Sequence, residues 1–310
     1  MPRVFIIILN WNNWPDVSDC LESIKNNDYP NYQVVIVDNG SKDQPPTPPV
    51  SWPTEIKVIY NRENLGFAGG NNVGIKYALD HGADYVLLLN DDTIVGRSFL
   101  SKLVAAAESA PEIGLAGPKI YFYPPAGEAS EEKNKIWSAG GELNWLRNKG
   151  TLRGWGEDDG GQYDSLAVQE MPHLTGCCLL AKRKAIEKIG LLSEDYFLYY
   201  EDTDWCLRAG KAGYRRVFVP EAEIWHKISR SAVAESLSYI YYHVRNGLLF
   251  ARKFAPVYVK PFVHLDALGR TIKQMVKLIF IPSKRAWGRA ILLGITDFYL
   301  GRKGKYENWH

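Results

Sequence analysis

Two adjacent carboxylates follow an apolar run in the first third of the chain. The run Tyr85–Leu89 is bounded by turn-type residues, which is typical of a strand buried on both faces of a sheet. Asn90, Asp91 and Asp92 come directly after it. Open α/β sheets bind their ligands at the carboxyl ends of the strands, so these carboxylates are expected to face a ligand. Carboxylate oxygens suit Mg²⁺ or Mn²⁺, ions that also hold a diphosphate.

A purely structural role explains the same residues equally well. Asparagine and aspartate favour turns, and Thr93 or an aspartate could cap a helix that runs through Phe99 and Leu103. The motif alone leaves both roles open, so the other strand ends decide how much weight the metal site receives.

Polar residues also end two earlier strands. The predicted strand Val4–Leu9 is followed by Asn10, and the predicted strand Val34–Val37 is followed by Asp38 and Asn39. A carboxylate at a strand end can accept a hydrogen bond from a nucleobase imide or a ribose hydroxyl. These two strand ends therefore predict a nucleotide site beside the acidic pair.

A glycine-rich segment, residues 64–72, opens the next predicted helix. It reads NLGFAGGNN and contains Asn64, Gly69 and Asn71. Glycines let the backbone approach a ligand closely, and a helix N-terminus favours negative charge, so the segment suits a diphosphate. It matches neither a Walker loop nor a dinucleotide fingerprint. Glycines also serve tight strand-to-helix turns, and that structural role remains open.

Three acids in four residues, Glu201, Asp202 and Asp204, follow an aromatic run in the second half of the chain. Acids in a first helical turn suit the helix dipole, so one or two of them have a structural explanation. A carboxylate beside aromatic surface can also have a raised pKa, which suits a general base.

A histidine, His226, follows the predicted strand Val217–Val219. A single histidine is more often structural than a metal ligand. In this chain, however, it could complete a metal site that begins with Asp92.

Strand and helix patterns alternate through the first part of the chain. Predicted strands are Val4–Leu9, Val34–Val37, Ile56–Tyr60 and Tyr85–Leu89, and predicted helices are Val17–Ile24, Asn71–Leu79 and Phe99–Ser109. This alternation predicts an α/β fold with a mainly parallel central sheet and helices on both faces. Five prolines place Gln44–Pro53 in a surface loop. The looser pattern of Tyr123–Gln169 indicates an insertion or a flexible active-site loop.

The chain of 310 residues is long enough for one large domain or for one domain with an appendage. Its four cysteines show neither metal-ligand spacing nor the density of a secreted disulfide scaffold, so reduced, buried thiols are expected. Val4–Leu9 is too short for a signal-peptide core or a membrane span. These features favour a cytoplasmic protein.

The C-terminal region is basic, whereas the rest of the chain is acidic. Residues 243–310 carry 13 lysines and arginines against three acids, a net charge of +10, which leaves −8 on the preceding residues. Two helices are predicted, Tyr239–Phe254 and Val259–Phe280, and the second has an apolar stripe beside basic residues. Such a helix suits the surface of an anionic membrane. Packing of the stripe on the rest of the chain, or on a second subunit, is the alternative.

Seven segments of the chain together resemble the family 2 glycosyltransferases of the GT-A fold, especially their bacterial and archaeal rhamnosyltransferase-like branch. They are VFIIILNWNN, VVIVDNGSKD, NLGFAGGNNVGI, YVLLLNDDTIV, TGCCLLAKR, FLYYEDTDWCLRAGKAGY and WHKISRS. They span about residues 3–231 in the order and spacing of the family, and jointly they are highly specific.

The resemblance implies a nucleotide-sugar-binding catalytic domain over residues 1–231, followed by a basic, largely helical extension over residues 232–310. It implies inverting transfer of a sugar from a dTDP- or UDP-linked donor, with rhamnose favoured by the branch. The acceptor would be a hydroxyl of a glycan or of a lipid-linked molecule in cell-surface polysaccharide synthesis. A divalent ion, Mg²⁺ or Mn²⁺, would lie across the donor diphosphate.

The functional positions of the family carry over to this chain residue by residue. Asp202 matches the general base, and Asp92 and His226 match metal ligands. The positions implied for the nucleotide-sugar are Asn10, Asp38, Asn39, Asn64, Gly69, Asn71 and Asp91. Asn90 stands where many relatives have aspartate, which speaks against a metal role for that position.

Two other functions remain open from the sequence. A nucleotidyltransferase that makes nucleotide-sugars would also pair a metal with a diphosphate, but it usually has a glycine-rich, basic first loop where this chain has Asn10–Asn13. A non-catalytic sugar-binding scaffold is the other, although the intact Asp92, Asp202 and His226 argue against it.

The basic residues also bear on the partners of the chain. Nucleic acid is not expected, because these residues are dispersed along a helical tail without a known reader motif. An anionic membrane surface, which would place the chain on the inner face of the cell membrane, and a homo-oligomer remain candidate partners.

Overall fold

The structure is a computed structural model that describes residues 1–43, 56–124, 134–145, 149–165, 168–227 and 236–306. Gln44–Pro53, the predicted proline-rich loop, lies outside these residues. The described residues form one large sheet with helices packed on it, followed by three long helices.

The bounds of the elements are as follows. The strands are β1 (Val4–Asn10), β2 (Tyr32–Asp38), β3 (Ile56–Tyr60), β4 (Tyr85–Asn90), β5 (Thr93–Val95), β6 (Ile113–Phe122), β7 (Ile136–Ser138), β8 (Gly141–Asn144), β9 (Lys149–Leu152), β10 (Gln169–Glu170), β11 (Cys178–Lys182) and β12 (Arg215–His226). The helices are α1 (Trp14–Lys25), α2 (Gly66–Asp80), α3 (Phe99–Glu108), α4 (Arg183–Ile189), α5 (Glu201–Lys211), α6 (Leu237–Phe254), α7 (Lys260–Phe280) and α8 (Arg285–Tyr299).

The central sheet is mainly parallel. Its strands follow the order β10, β12, β6, β11, β4, β1, β2, β3, with β5 paired to β12 and β7 paired to β6. The neighbours β4, β1, β2 and β3 are parallel, and β11 is antiparallel to both β4 and β6. Strands β1 and β2 are continuous apolar runs because helices cover both faces of the sheet. Strands β8 and β9 form a separate hairpin.

Two hydrophobic clusters cover the two faces of this sheet. Side chains alternate along a strand, so Val4, Ile6 and Ile8 point to the face covered by α1 and α3. Phe5 and Ile7 point to the opposite face, which α2 and α5 cover. Both clusters extend across β4 and β11. The strand ends are therefore held on a rigid core.

The C-terminal helices form a third cluster of their own. Residues of α6, α7 and α8 pack together around Phe250 and Ala267. The same cluster contains Tyr196 and Tyr200, which precede α5. The helical extension is thus packed against the segment that leads into the acidic start of α5.

The predicted α/β fold is confirmed, and each strand and helix predicted in the first part of the chain is present. The four cysteines are buried and free, as expected. The stretch Tyr123–Gln169 includes the short strands β7, β8 and β9 among its described residues. In the described part of the chain, none of the helices has the length and apolar character needed to cross a membrane.

Two details differ from the sequence-based expectations. Helix α2 begins at Gly66, so it includes most of the glycine-rich segment instead of starting after it. The capping role considered for Thr93 is wrong, because Thr93 lies in β5 and its hydroxyl donates to the carbonyl of Asn90 at 2.7 Å. Helix α3 begins at Phe99, as predicted, and the residue that precedes it is Ser98.

Helix α8 was not anticipated from the sequence. Two glycines, Gly288 and Gly294, lower its intrinsic helix propensity. Tertiary packing offsets this cost: a Cβ at Gly294 would come within 2.9 Å of the carbonyl oxygen of Tyr241, so the glycine permits close approach of α8 to α6. This contact joins two different helices, so the local sequence pattern of α8 could not indicate it.

Candidate active site

Three polar strand ends meet at one edge of the sheet. In the parallel register Asn10 of β1 lies opposite Asp38 of β2, and Leu9 lies opposite Asn90 of β4. The carboxyl ends of β1, β2 and β4 are therefore level with one another. Asp91 and Asp92 follow β4 at the same edge. This is the position at which open α/β sheets bind ligands.

Asp38 is held by a network of hydrogen bonds. The side-chain amide of Asn10 donates to Asp38 Oδ1 at 3.0 Å and to the Ser41 hydroxyl at 3.2 Å. Ser41 donates to the same carboxylate oxygen. The backbone amide of Asn12 donates to the Ser41 hydroxyl at 2.8 Å. Asp38 Oδ1 is thus fixed by neighbouring groups, and the turn after β2 is tied to the turn after β1.

Asn39 and Asn64 hold the entry of the glycine-rich segment. Asn39 Nδ2 donates to Asn64 Oδ1 at 3.0 Å and to the carbonyl of Gly66 at 3.1 Å. Asn39 Oδ1 accepts from the backbone amide of Leu65 at 3.1 Å and from Asn61 Nδ2 at 3.0 Å. These bonds place the first turn of α2 beside the end of β2.

Gly69 and Asn71 lie in the first two turns of α2. Asn71 is almost fully buried and donates its side-chain amide to the carbonyl of Phe67 at 2.9 Å. A Cβ at Gly69 would contact Leu65 at 2.9 Å. A Cβ at Gly70, which lies between them, would overlap the side chain of Leu9 and meet that of Asn39 at 3.0 Å, so this part of α2 lies against the ends of β1 and β2. The bonding partner of Asn71 is within its own helix.

Gly66 connects this segment to the second half of the chain. It has φ +74°, and a Cβ at this position would overlap the carbonyl oxygen of Phe197. The same carbonyl accepts a hydrogen bond from the backbone amide of Phe67 at 2.8 Å. Glycine meets both the left-handed backbone conformation and the close approach. The start of α2 is therefore tied to the segment before α5.

Asp91 is an electrostatically unusual carboxyl. Burial raises its pKa to about 8, and the neighbouring Asp92 carboxylate raises it as well. Asn13 Nδ2 donates to Asp91 Oδ2 at 3.2 Å, which acts in the opposite direction. Adjacent buried carboxylates repel each other, and a cation near them relieves that repulsion.

Asp92 and His226 face each other across the turn. His226 Nε2 lies 3.0 Å from Asp92 Oδ1, and both side chains are buried. His226 is the last residue of β12 and pairs with Thr93 of β5, and the backbone amide of Lys227 donates to the carbonyl of Asp92 at 2.8 Å. The ring of Trp137 packs edge-on against the imidazole, with ring centroids 4.6 Å apart.

This pair fits two ligands of one divalent ion. Neighbouring ligands of an octahedral ion at about 2.1 Å are about 3.0 Å apart, the separation of these two atoms. Carboxylate oxygen and imidazole nitrogen both suit Mn²⁺. In the described part of the chain no three His, Cys, Asp or Glu side chains gather around one point. The remaining ligands of the ion would therefore be oxygens of a bound diphosphate and water.

Asp202 lies in the first turn of α5 and is fixed by backbone donors. The amide of Gly176 donates to Asp202 Oδ2 at 2.8 Å, and the amide of Thr203 donates to Oδ1 at 2.6 Å. The carbonyl of Cys177, the residue after Gly176, accepts a hydrogen bond from the backbone amide of Asn90 at 2.9 Å. Two consecutive residues therefore connect Asp202 to the strand end that carries the acidic pair.

The segment before Asp202 has a strained backbone that α6 holds in place. Tyr199 and Tyr200 have φ of +68° and +78°, values that L-residues rarely adopt. Asn246 of α6 is fully buried and donates to the carbonyl of Leu198 at 2.8 Å and to that of Tyr199 at 3.2 Å. The C-terminal helices thus determine how the chain enters α5.

Two buried titratable groups flank Asp202. Burial raises the pKa of Glu201 well above its ordinary value, and the charge of Asp202 raises it further. Burial lowers the pKa of His173, whose Nδ1 lies 3.3 Å from the Thr203 hydroxyl. That hydroxyl donates to Asp202 Oδ1 at 3.1 Å. A chain of polar contacts therefore runs from His173 to Asp202.

The residues predicted from the sequence fall into connected groups. Asn10, Asp38, Asn39 and Asn64 are joined by hydrogen bonds, and Asp92 is paired with His226. Sequence reasoning did not single out the residues that support them: Asn13, Ser41, His173, Gly176, Thr203 and Asn246. Ser41, Gly176 and Thr203 were within recognised motifs, whereas His173 and Asn246 had no local signal.

Comparison with known proteins agrees with this geometry. A family model described as Glycosyl transferase family 2 matches residues 5–190. An N-acetylglucosaminyl-diphospho-decaprenol L-rhamnosyltransferase of Mycobacterium tuberculosis is 30% identical over 233 residues, which are 70% of this chain and 73% of the relative. A dTDP-rhamnosyl transferase, RfbF, of Shigella flexneri is 23% identical over 270 residues, 81% of this chain and 80% of the relative.

Solved structures share the fold. GalNAc-T7, crystallised with UDP, GalNAc and Mn²⁺, matches with a TM-score of 0.64 at 14% identity over 97% of this chain, which spans 57% of that longer chain. The mannosyltransferase PcManGT of Pyrobaculum calidifontis, in complex with GDP-Man and Mn²⁺, matches with a TM-score of 0.56 at 15% identity, over 97% of this chain and 88% of that one. These likenesses confirm the predicted GT-A fold.

Proposed function

The chain belongs to glycosyl transferase family 2, and from that premise we propose that it moves a sugar from a nucleoside-diphosphate sugar to an acceptor hydroxyl with inversion. It is a glycosyltransferase enzyme. One observation carries the finer proposal: Gly176 and Cys177 join Asp202 directly to the strand end that bears the acidic pair. A proton acceptor and a diphosphate site would therefore lie side by side.

The donor site is proposed at the carboxyl ends of β1 and β2. Asp38 and Asn10, which are hydrogen-bonded to each other, would contact the base and ribose, and Asp91 would contact the ribose or the sugar. The glycine-rich segment, through Asn39, Asn64, Gly69 and Asn71, would form the wall beside the diphosphate. The names of the two rhamnosyltransferase relatives support rhamnose as the sugar, and that of the Shigella relative supports dTDP.

Asp92 and His226 are the proposed ligands of a divalent ion, Mg²⁺ or Mn²⁺. When bound, the ion would neutralise charge that develops on the departing diphosphate, often the largest contribution to such a reaction. Both GalNAc-T7 and PcManGT were solved with Mn²⁺, which supports this proposal. The chain itself contributes the geometry, because the pairing of β12 with β5 holds the two side chains in contact.

Asp202 is the proposed general base. It would take the proton of the acceptor hydroxyl while that oxygen attacks the anomeric carbon and the bond from that carbon to the diphosphate breaks. The backbone amides of Gly176 and Thr203 orient its two oxygens, which reduces the reorganisation required at the moment of transfer. General-base assistance of this kind contributes about 10²–10⁴-fold to the rate.

The acceptor is proposed to be a glycan or a lipid-linked saccharide used in cell-surface polysaccharide synthesis, which the similarity to the decaprenol-linked rhamnosyltransferase of Mycobacterium tuberculosis supports. We place the chain in the cytoplasm at the inner face of the membrane. Residues 1–231 would form the catalytic domain, extended by residues 232–310. Asn246 supports a catalytic contribution of that extension, since it holds the backbone before Asp202.

Calorimetry with a panel of nucleoside diphosphates and their sugars, with and without Mn²⁺, tests the donor site. We expect binding of dTDP- or UDP-linked compounds that strengthens with Mn²⁺. Incubation of the bound donor with a polyprenyl-diphosphate saccharide, followed by NMR of the product anomer, then tests transfer and inversion. Absence of binding by every donor, or a product with retained configuration, contradicts the proposal.

A further inference from the structure

Helix α7 presents a broad apolar face to solvent. Its inward side is narrow, with Val263, Ala267 and Gln274 as its buried residues. Eight large apolar side chains on the opposite side are each between 49% and 74% exposed. These residues are named here the outer face of α7: Phe262, Leu265, Leu268, Ile272, Met275, Val276, Ile279 and Phe280.

The outer face is continuous along the helix. Successive residues of an α-helix are about 100° apart, so these eight side chains fall within an arc of about 140°. An apolar arc of this width normally faces a protein core. Here the body of the protein contacts a different and narrower side, through Val263 and Ala267. A contiguous exposed apolar surface of this kind indicates an interaction site.

Positive charge lies along one border of this face. Lys273, Lys277 and Arg270 follow one another along one border of the arc. Residues 257–289 contain seven lysines and arginines and a single acid, a net charge of +6. That acid, Asp266, is paired with Arg270 at 2.6 Å. The partner that complements this surface is therefore both apolar and negatively charged.

Amphipathic aromatic residues lie near both ends of the helix. Tyr258, in the turn before α7, is 76% exposed, and Trp287 at the start of α8 is 36% exposed. Lys284 Nζ lies over the Trp287 ring at 5.2 Å from its centroid. Tyrosine and tryptophan combine an apolar body with a polar tip, which suits a boundary between lipid and water.

We propose that the outer face of α7 lies in the surface of an anionic lipid bilayer, with the helix axis parallel to the membrane plane. Its apolar side chains enter the acyl boundary, while its lysines and arginines remain among the headgroups. A second copy of the chain is a poor occupant, because two surfaces of net charge +6 would repel each other on contact.

The position of α7 gives this contact a role that rests on the proposed function. Ala267 packs in the same cluster as Phe250 of α6 and Tyr200, which lies two residues before Asp202. One layer of helices, about 8–10 Å, therefore separates the lipid-facing helix from the segment that leads into the proposed base. The headgroup saccharide of a membrane-anchored acceptor would be presented close to Asp202.

Flotation of the full chain with lipid vesicles tests the inference without measuring transfer. We expect the chain to float with phosphatidylcholine vesicles that contain phosphatidylglycerol, to remain unbound with phosphatidylcholine alone, and to be released as salt is raised. Failure to bind the anionic vesicles overturns the inference. Equal, salt-insensitive binding to both vesicle types also overturns it, because the charge assignment would be wrong.

Two pairs of variants locate the contact. Lys273→Glu with Lys277→Glu should weaken binding to anionic vesicles at least about 30-fold, because each basic residue near such a surface strengthens binding about fivefold. The control Lys76→Glu with Lys184→Glu makes the same change of net charge at exposed residues of α2 and α4, and this variant should bind the anionic vesicles normally. Equal loss in both pairs contradicts an assignment to α7.

Leu268→Glu with Ile272→Glu should abolish flotation, whereas Tyr60→Glu, at an equally exposed apolar residue of the edge strand β3, should not. All these side chains are exposed, so circular dichroism should show unchanged folding.

Light scattering distinguishes the remaining case. A dimer that becomes a monomer in the Leu268→Glu, Ile272→Glu variant, without vesicle binding, would make α7 a subunit interface and overturn the inference. If the unchanged chain floats with anionic vesicles but transfers no sugar, the result counts against the proposed function and leaves the membrane contact standing.

Discussion

His226 Nε2 lies 3.0 Å from Asp92 Oδ1, although these residues belong to opposite halves of the chain. The contact is built by β12, whose last residues pair with β5 directly after the acidic turn. The same strand end also holds the backbone of Asp92 through the amide of Lys227. The geometry of the two proposed metal ligands is therefore determined by sheet pairing and does not depend on a mobile loop.

Removing the Asp92 carboxylate should weaken the metal-dependent part of donor binding. We expect Asp92→Ala to lose at least about 10-fold in donor affinity with Mn²⁺ present, because loss of even an outer-shell partner lowers metal affinity about 10–100-fold, and to lose little without the ion. Isothermal calorimetry with and without Mn²⁺ measures both values. Asp80→Ala, at an exposed acid at the end of α2, is the control. Unchanged affinity in the Asp92 variant under both conditions contradicts a ligand role.

A methyl group at Gly66 should be far more harmful than one at Gly82. Both glycines have positive φ, +74° and +82°, so either alanine costs about 1–2 kcal/mol in backbone strain. A Cβ at Gly82 meets nothing within 4 Å, whereas one at Gly66 would overlap the carbonyl oxygen of Phe197. Chemical denaturation and donor binding of Gly66→Ala and Gly82→Ala measure the difference. Equal losses would mean that the contact with Phe197 does not constrain the segment.

Much of this arrangement could be predicted because strand periodicity and parallel pairing are local or nearly local properties. The apolar runs of β1, β2 and β4 placed Asn10, Asp38 and Asp91 at one edge, and the register confirms that placement. His226 was also identified as a candidate partner for Asp92, and the two side chains are in contact.

The supporting contacts could not be predicted, because they depend on tertiary packing. Asn246 is in a helix that gave no chemical signal, yet its amide holds two backbone carbonyls before α5. Helix α8 was missed since its two glycines lower helix propensity; Gly294 permits close packing against α6, and Gly288 lies against Leu278 of α7. The positive φ of Tyr199 and Tyr200 is likewise a consequence of contacts from other elements.

Asn246→Ala should reduce both stability and turnover. It leaves the partly buried carbonyls of Leu198 and Tyr199 without their side-chain donor, which costs about 1–3 kcal/mol of unfolding free energy. The looser segment should lower kcat more than it raises the donor KM, because the donor contacts lie on other elements. Urea denaturation and steady-state kinetics test this split, with Asn26→Ala at an exposed residue after α1 as control. A loss confined to donor KM would contradict the positioning role.

Glu201 should make stability fall as pH rises. Its pKa is raised in the folded protein, first by burial and then by Asp202. Below about pH 4.5 the Glu201 carboxyl is protonated in both the folded and the unfolded protein. Above that pH it ionises first in the unfolded protein, so the folded protein becomes relatively less stable until the pH exceeds the raised pKa of Glu201 in the folded protein. Glu201→Gln removes this loss.

The difference in unfolding free energy between Glu201→Gln and the unchanged chain should therefore grow with pH, at up to about 1.4 kcal/mol per pH unit within that window. Urea denaturation at a series of pH values measures it, and Glu22→Gln at an exposed acid of α1 gives the baseline. A difference that stays constant across the series would show that Glu201 ionises normally in the folded state.

The most direct test of the central claim is a paired measurement on Asp202→Asn. The substitution preserves side-chain size and one carbonyl oxygen but removes the proton acceptor held by Gly176 and Thr203. We predict that sugar transfer falls about 10²–10⁴-fold, while calorimetric affinity for the nucleoside-diphosphate sugar stays unchanged. Transfer that persists at the original rate, or an equal loss of transfer and donor binding, would contradict the assignment of Asp202 as the general base.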